Sequence, residues 1–248
     1  MRTSWKRLSK ARTYSRLLLL ILLLSPITQA SGALKPFKVS YQVDYSIASG
    51  VMTLSLAQTD SGSYTMDSIT EAKGAARLII GKPIVEHATF EINDGTVKAT
   101  GYKLDDGNKK SNKDIKIEYQ WPASTAALQS EDGAESKPLD KKTMDQLVMQ
   151  AAAIMQVISG NKQFAFKQLK PGRSVSSYIY TYLGDEVLKT EIGDLKTVKY
   201  SRTKEGASKT THFWFAVDHN YTPVQLQRIK KDNIVFTATL ISLELQES

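Results

Sequence analysis

The chain has 248 residues, a formal net charge of +8, no cysteine and 41% hydrophobic composition. That length suits one sizeable core, and the missing cysteines exclude a disulfide-stapled scaffold and a lipoprotein anchored through cysteine. The charge does not mark a nucleic-acid-binding domain: Arg2, Lys6, Arg7, Lys10, Arg12 and Arg16 precede any acid, and without these six the excess falls from +8 to +2.

The basic start is followed by an unbroken apolar block, Leu17–Leu24, then by Pro26 and the small-residue stretch ITQASGA. Basic segment, short apolar core and small residues are the three parts of a secretory signal. The apolar stretch ends at Ile27 after 11 residues, whereas a bilayer-spanning helix takes about 20. Cleavage is expected after Ala30, with Ala33 as the rival site and an uncleaved anchor as the alternative. Residues 1–30 are thus read as a signal peptide. Residues 31–248 are read as a single β-rich periplasmic domain with no transmembrane span after processing.

The mature chain opens on strict alternation. Phe37, Val39, Tyr41, Val43, Tyr45 and Ile47 occupy every second position, with polar residues between them. Period two means a strand with one buried face. Returning strands are predicted at Val51–Ala57 and Tyr64–Thr70. Gly74–Gly81 is ambiguous between short helix and loop. Val85–Ile92 and Thr96–Leu104 flank Asn93-Asp94-Gly95, a tight hairpin signal. Ile115–Trp121 alternates again and stops at Pro122. Ala123–Lys137, small and polar, reads as a loop.

One helix is predicted, Asp140–Ser159. Asp140 is placed to cap it, and Met144, Leu147, Val148, Ala151, Ile154, Met155 and Ile158 recur at spacings of three and four. Gly160 stops it. A lone helix of this length is marginal in water, so it must dock on the sheet. Strands then resume at Ser174–Tyr182, Glu186–Ile192, Leu195–Arg202, Thr210–Val217, Val224–Lys230 and Ile234–Leu245. The last is apolar at both parities, which predicts a central strand covered on both sides or lining a cavity. The fold class is mainly β (α+β): roughly ten antiparallel strands in a large curved sheet, or half-barrel, wrapping one central amphipathic helix. A closed barrel is the alternative. The curved sheet is preferred because the helix needs a concave face to fill.

Reactive side chains are sparse. His212 and His219 share the segment from Thr210 to Gln227 with Trp214 and Asp218, but alternation makes this a hairpin with His219 at its exposed tip. A straight strand separates the two histidines by more than about 20 Å, too far for one metal. No Gly-x-Ser-x-Gly is present. The Ser-x-x-Lys pairs at Ser159–Lys162 and Ser201–Lys204 lack a Lys-Thr-Gly companion. No phosphate-cradling glycine loop appears. The expectation is a non-enzyme without metal or cofactor, with a hydrolase using an unrecognised site as the last alternative.

Aromatic residues instead crowd the predicted strands. A filled sheet core is the plain explanation. An apolar groove between sheet and helix is the sharper one, with Tyr41, Tyr45, Met144, Leu147, Ile154 and Phe236 as its lining. A 14-carbon chain buried there would gain roughly 10 kcal/mol, comparable with an association cost of about 4–15 kcal/mol. Binding would be reversible, as a carrier requires. The partners expected are a lipid-like small molecule or an envelope protein, and no nucleic acid. The alternative is an envelope structural or interaction module with a filled core.

Five blocks carry a resemblance: FKVSYQVDYSIASGVMTLSL, EHATFEINDGTVKATGYKL, IKIEYQW, LDKKTMDQLVM and FWFAVDHNYTPVQLQRIKKDNIVFTATL. In this order they resemble a proteobacterial envelope family known only as a domain of unknown function. Trp214, Asp218, Pro223 and Leu226 match its closing block, and Asp140 to Leu147 its helix block. The resemblance implies a secreted β-rich domain and supplies no catalytic residues. It also implies similarity to the half-barrels of lipoprotein carriers.

Overall fold

The computed structural model describes residues 34–46, 48–74, 77, 81–108 and 113–246. The expected signal peptide, Ile47 and most of Gly74–Gly81 lie outside the described residues.

Alternation builds the sheet. β1 (Phe37–Tyr45) buries Phe37, Val39, Tyr41 and Val43, and β2 (Ala48–Gln58) pairs back with Leu54 and Leu56 buried. β3 (Tyr64–Lys73), β4 (Ile84–Asn93) and β5 (Thr96–Asp105) continue the meander. Asp94 and Gly95, both at positive φ, make the two-residue turn between Asn93 and Thr96, as the Asn-Asp-Gly signal predicts.

β6 (Ile115–Gln120) is followed by a departure from expectation. Ala123–Lys137 is not a loop: it forms β7 (Thr125–Ser130) and β8 (Gly133–Pro138). Its residues have little intrinsic β preference, but Leu128 pairs with Ile117 and Ala126 with Tyr119, and both Leu128 and Ala126 are fully buried. Neighbouring strand and core together recruit a segment that propensity alone leaves undecided.

The two-residue β9 (Thr143–Met144) leads into α1 (Gln146–Ile158). Asp145, not Asp140, caps it: Oδ1 accepts the Leu147 and Val148 N–H groups at 2.9 and 3.0 Å. Asp140 instead braces the preceding turn, accepting from the Lys142 N–H and the Thr143 hydroxyl and pairing with Lys167. Met144 therefore belongs to a strand. Gly160 does end the helix. Its N–H reaches the Val157 carbonyl while the Asn161 N–H reaches that of Gln156, the double bond of a left-handed stop. The single apolar stripe expected is wider in fact, since Met149, Ala152, Ala153 and Val157 are buried as well. A helix apolar nearly all round is one enclosed on nearly all sides.

β10 (Gln163–Gln168), β11 (Ser176–Thr190), β12 (Gly193–Lys204), β13 (Lys209–Ala216), β14 (Thr222–Lys230) and β15 (Asn233–Leu245) complete the meander. β11 fuses two expected strands across a bulge between Tyr182 and Gly184. The result is one 15-stranded sheet, more than the roughly ten expected, chiefly because β7 to β10 fall outside the predicted strands. Its order is β8-β7-β6-β5-β4-β3-β2-β1-β15-β14-β13-β12-β11-β10-β9. Pairing is antiparallel apart from β9 with β10, and β1 meets β15 in the middle.

β15 is central, as predicted, but not covered on both sides: Ala238 and Leu240 are buried while Ile234 is 55% exposed. Its two-faced apolar pattern has another cause. The register with β1 steps over Ile241, so Leu240 and Leu243, of opposite parity, both reach the core.

The sheet does not close by a backbone ladder. β8 and β9, its two edges, are linked only by Leu139–Lys142 and do not pair. Side chains tie β8 to the segment after β10 instead: Glu135 accepts the Gly172 N–H at 2.7 Å, and Lys137 donates to the Lys170 carbonyl at 2.8 Å and to that of Arg173. Within the curve, α1 touches β3, β4 and β5 on one flank and β10 on the other. Among the described residues, no helix is long and apolar enough to cross a membrane.

Candidate functional site

Around most of α1 the space between helix and sheet is filled. Phe164 stacks on Tyr180 at 4.8 Å, Tyr180 meets Phe213 at 6.0 Å, and Tyr200 meets Phe215 at 5.9 Å. The gap left between Ile154, Tyr180, Phe215 and Pro223 is about 10 Å³, no more than one water needs.

At the helix N-terminus the packing opens. One cavity, of about 440 Å³, lies against Tyr102, Ile115, Asp145 and Arg173; a second, of about 370 Å³, lies against Met52, Arg202, Arg228 and Phe236. Gln146, Gln168 and Lys170 line both.

Strand register places the second cavity's wall. Phe164, Tyr180, Arg202, Thr211, Arg228 and Phe236 are successive partners across β10 to β15. Directly opposed residues share a face, so this row turns two guanidinium groups inward beside aromatic rings. The Arg202 guanidinium lies 5.2 Å from the Tyr178 ring centre and 5.1 Å from that of Phe213; Arg228 lies 5.5 Å from Phe236. Lys170, Lys204 and Lys209 add three cations to the same cavity, and Glu86 is its one carboxylate. Among the described residues none of these five cations forms an ion pair, and the buried Arg202 Nε finds no hydrogen-bond acceptor. Partial desolvation lowers the Lys170 ammonium pKa, and the nearby Arg173, Arg202, Arg228 and Lys204 charges lower it further.

On the opposite wall Glu86 is already engaged. It accepts the Tyr102 hydroxyl at 2.7 Å and the Gln146 amide. Asp145, 1% exposed, accepts the Tyr119 hydroxyl at 3.0 Å in addition to its two cap bonds. Burial raises its carboxyl to about 6, opposed by those same hydrogen bonds. Burial also raises the Tyr102 and Tyr119 phenols, helped by Glu86 and Asp145 respectively.

The six residues expected to line one groove do not converge. Tyr41 is fully buried and donates its hydroxyl to the Pro223 carbonyl at 2.5 Å. Leu147 and Ile154 are packing residues, each 1% exposed. Met144, on β9, lies beside a separate surface recess with Met155 and Phe166. Tyr45 is 57% exposed, because β1 ends there and its turn leaves the core. Phe236 lines the basic cavity. Sequence reasoning missed Arg202, Arg228, Lys170 and the glutamines. A signal was present: Val224, Leu226 and Arg228 share one parity, so a charge falls on an apolar face. Gln146 and Gln150, four apart, likewise interrupt an apolar helix.

The histidines take three places. His212 packs edge to face against the buried Trp214 at 6.1 Å, and partial burial and then Lys199 lower the His212 pKa. His219 ends the turn Val217–His219 and is half-buried rather than exposed. His87 Nδ1 lies 2.6 Å from Asp67 Oδ1. Register places Ser55 beside Asp67 on the side away from His87, so the order of a nucleophile–base–acid relay is not formed. Asp105, Asp106 and Asp114 bring carboxylates within 4.8 Å of one another, at the mainly exposed loop after β5.

No curated protein matches the chain. Among solved structures it is similar to a beta-barrel-like protein of the domain of unknown function DUF1849 from Brucella abortus. The TM-score is 0.57 at 10% identity, covering 87% of this chain and 99% of that one; this likeness speaks for the fold alone. A porin-like protein from Bacteroides uniformis aligns over 86% of this chain and 96% of its own at 8% identity, with a TM-score of 0.30, too slight a likeness to carry an argument. The family described as "Protein of unknown function (DUF3108)" matches residues 37–240, so the expected membership of an uncharacterised family holds, and the chain belongs to the DUF3108 family.

Proposed function

We propose that this chain is a secreted, non-catalytic binding protein of the periplasm that holds a small amphiphilic molecule where the curved sheet meets the start of α1. The observation carrying this reading is the pair of cavities that share Gln146, Gln168 and Lys170 as lining, each larger than the recess of about 220 Å³ beside Met155. Volumes near 400 Å³ fall within the usual range for small-ligand sites, about 300–1,000 Å³. The secretory reading rests on Met1–Ala30. The lipid-like ligand of the sequence reading is relocated: the groove along α1 is occupied by side chains, so an apolar tail would lie against Met52, Leu226 and Phe236. A second reading, an envelope interaction module, draws support from that same filled interior.

Native mass spectrometry of the protein, purified after expression of the whole chain, separates the two. The binding reading expects a co-purifying small molecule, lost from Leu226→Trp, in which the indole fills the cavity. A ligand-free mass with no small molecule in solvent extracts supports the module instead. The same spectra read the N-terminus: a chain starting at Ser31 or Leu34 supports secretion, and retention of Met1 opposes it.

A further inference from the structure

Resting on that binding reading, we infer that the ligand is an organic phosphate, its oxyanion held between Arg202 and Arg228 in the cavity that Lys170 also lines. Three observations carry this.

The first is an excess of positive charge, five cations against one carboxylate. Five cations line one cavity, none is ion-paired among the described residues, and the carboxylate opposite is committed to Tyr102 and Gln146. Like charges gathered this way repel one another, and a multiply charged anion relieves the repulsion.

The second is how the arginines are held. Aromatic faces, not acids, position them: Tyr178 and Phe213 for Arg202, Phe236 for Arg228. A guanidinium held over an aromatic ring needs no carboxylate to position it and keeps N–H donors for bidentate contact with a phosphate. Arg202 and Arg228 sit in one cross-strand row separated by Thr211, hence about 10 Å apart across the sheet, a span two long side chains can close over one headgroup. The third is the unsatisfied Arg202 Nε, a buried donor that costs stability until an acceptor arrives. Met52, Leu226 and Phe236 line the same space and give an organic substituent an apolar surface.

Calorimetric titration in chloride buffer tests the inference with three probes: dodecyl phosphate, inorganic phosphate and dodecyl maltoside. Dodecyl phosphate is expected to bind saturably, and Arg202→Gln or Arg228→Gln to weaken it at least tenfold each. The ligand-free melting temperature of either variant should stay unchanged or rise, whereas arginines serving only as packing anchors would lower it. Inorganic phosphate binding as tightly as dodecyl phosphate assigns the site to a soluble phosphate. Much weaker binding assigns it to a lipid headgroup. Dodecyl maltoside binding as well as dodecyl phosphate, with both substitutions silent, overturns the phosphate inference and leaves a binding protein for neutral amphiphiles. Failure of all three probes, while native spectra still show a co-purified ligand, also overturns the inference without touching the binding reading. Failure of all three with no co-purified ligand ends both.

Discussion

The two ends of α1 meet the sheet in opposite ways. Toward Gly160, aromatic rings from β10 to β13 interlock, and the Tyr200 hydroxyl donates to the Asn161 carbonyl at 3.0 Å. Toward Asp145 the wall is made of charges and amides, and cavities remain. The first end is mainly ring packing, and the second accepts costs that a stability-only design would shed: a buried carboxylate and crowded cations. Such concessions gather at functional sites.

Three substitutions probe this contrast. Phe215→Ala, at the packed end, should cost most, about 3–5 kcal/mol of unfolding free energy by chemical denaturation. A loss below about 1 kcal/mol would mean that end is as loose as the other.

Asp145→Asn tests the open end through pH. Burial raises the native carboxyl from 3.8 to about 6, so the native state holds the proton more tightly than the unfolded chain. The penalty of ionising it is absent below about pH 4, grows as pH rises, and is complete above about pH 6. Asparagine keeps the cap acceptor and removes the titration. Wild type should therefore lose roughly 3 kcal/mol relative to the variant between pH 4 and 7. Parallel stability curves would show that Asp145 is better solvated than its burial implies.

Lys137→Met addresses the seam between the sheet edges. The Lys137 side chain is 11% exposed, and its ammonium donates to two carbonyls while pairing with Glu135. Its loss should cost about 1–2 kcal/mol and speed amide hydrogen exchange in β7 and β8 more than in β1 and β2. Uniform exchange rates would show that the edges hold without it.

Much of this architecture was readable in the chain. β1, the β4–β5 turn and the helix stop at Gly160 are local patterns, and local patterns survive folding. Asp140 and Asp145 both precede an apolar run, and which of them caps the helix depends on where β9 pairs with β10. β7 and β8 escaped notice because Ala126 and Leu128 become strand residues only against Ile117 and Tyr119. The basic cavity was harder still. Arg202 and Arg228 lie 26 positions apart and meet through the register of β12, β13 and β14.

By itself, the sequence determined which segments alternate, where several of them turn, and that one apolar helix must be enclosed, since these follow from side-chain periodicity and backbone sterics. Tertiary structure alone decided how many strands the sheet holds, that β8 is tied by side chains to the segment after β10, and which cations share a cavity. Those depend on pairing between distant segments, whose register no short stretch of residues encodes.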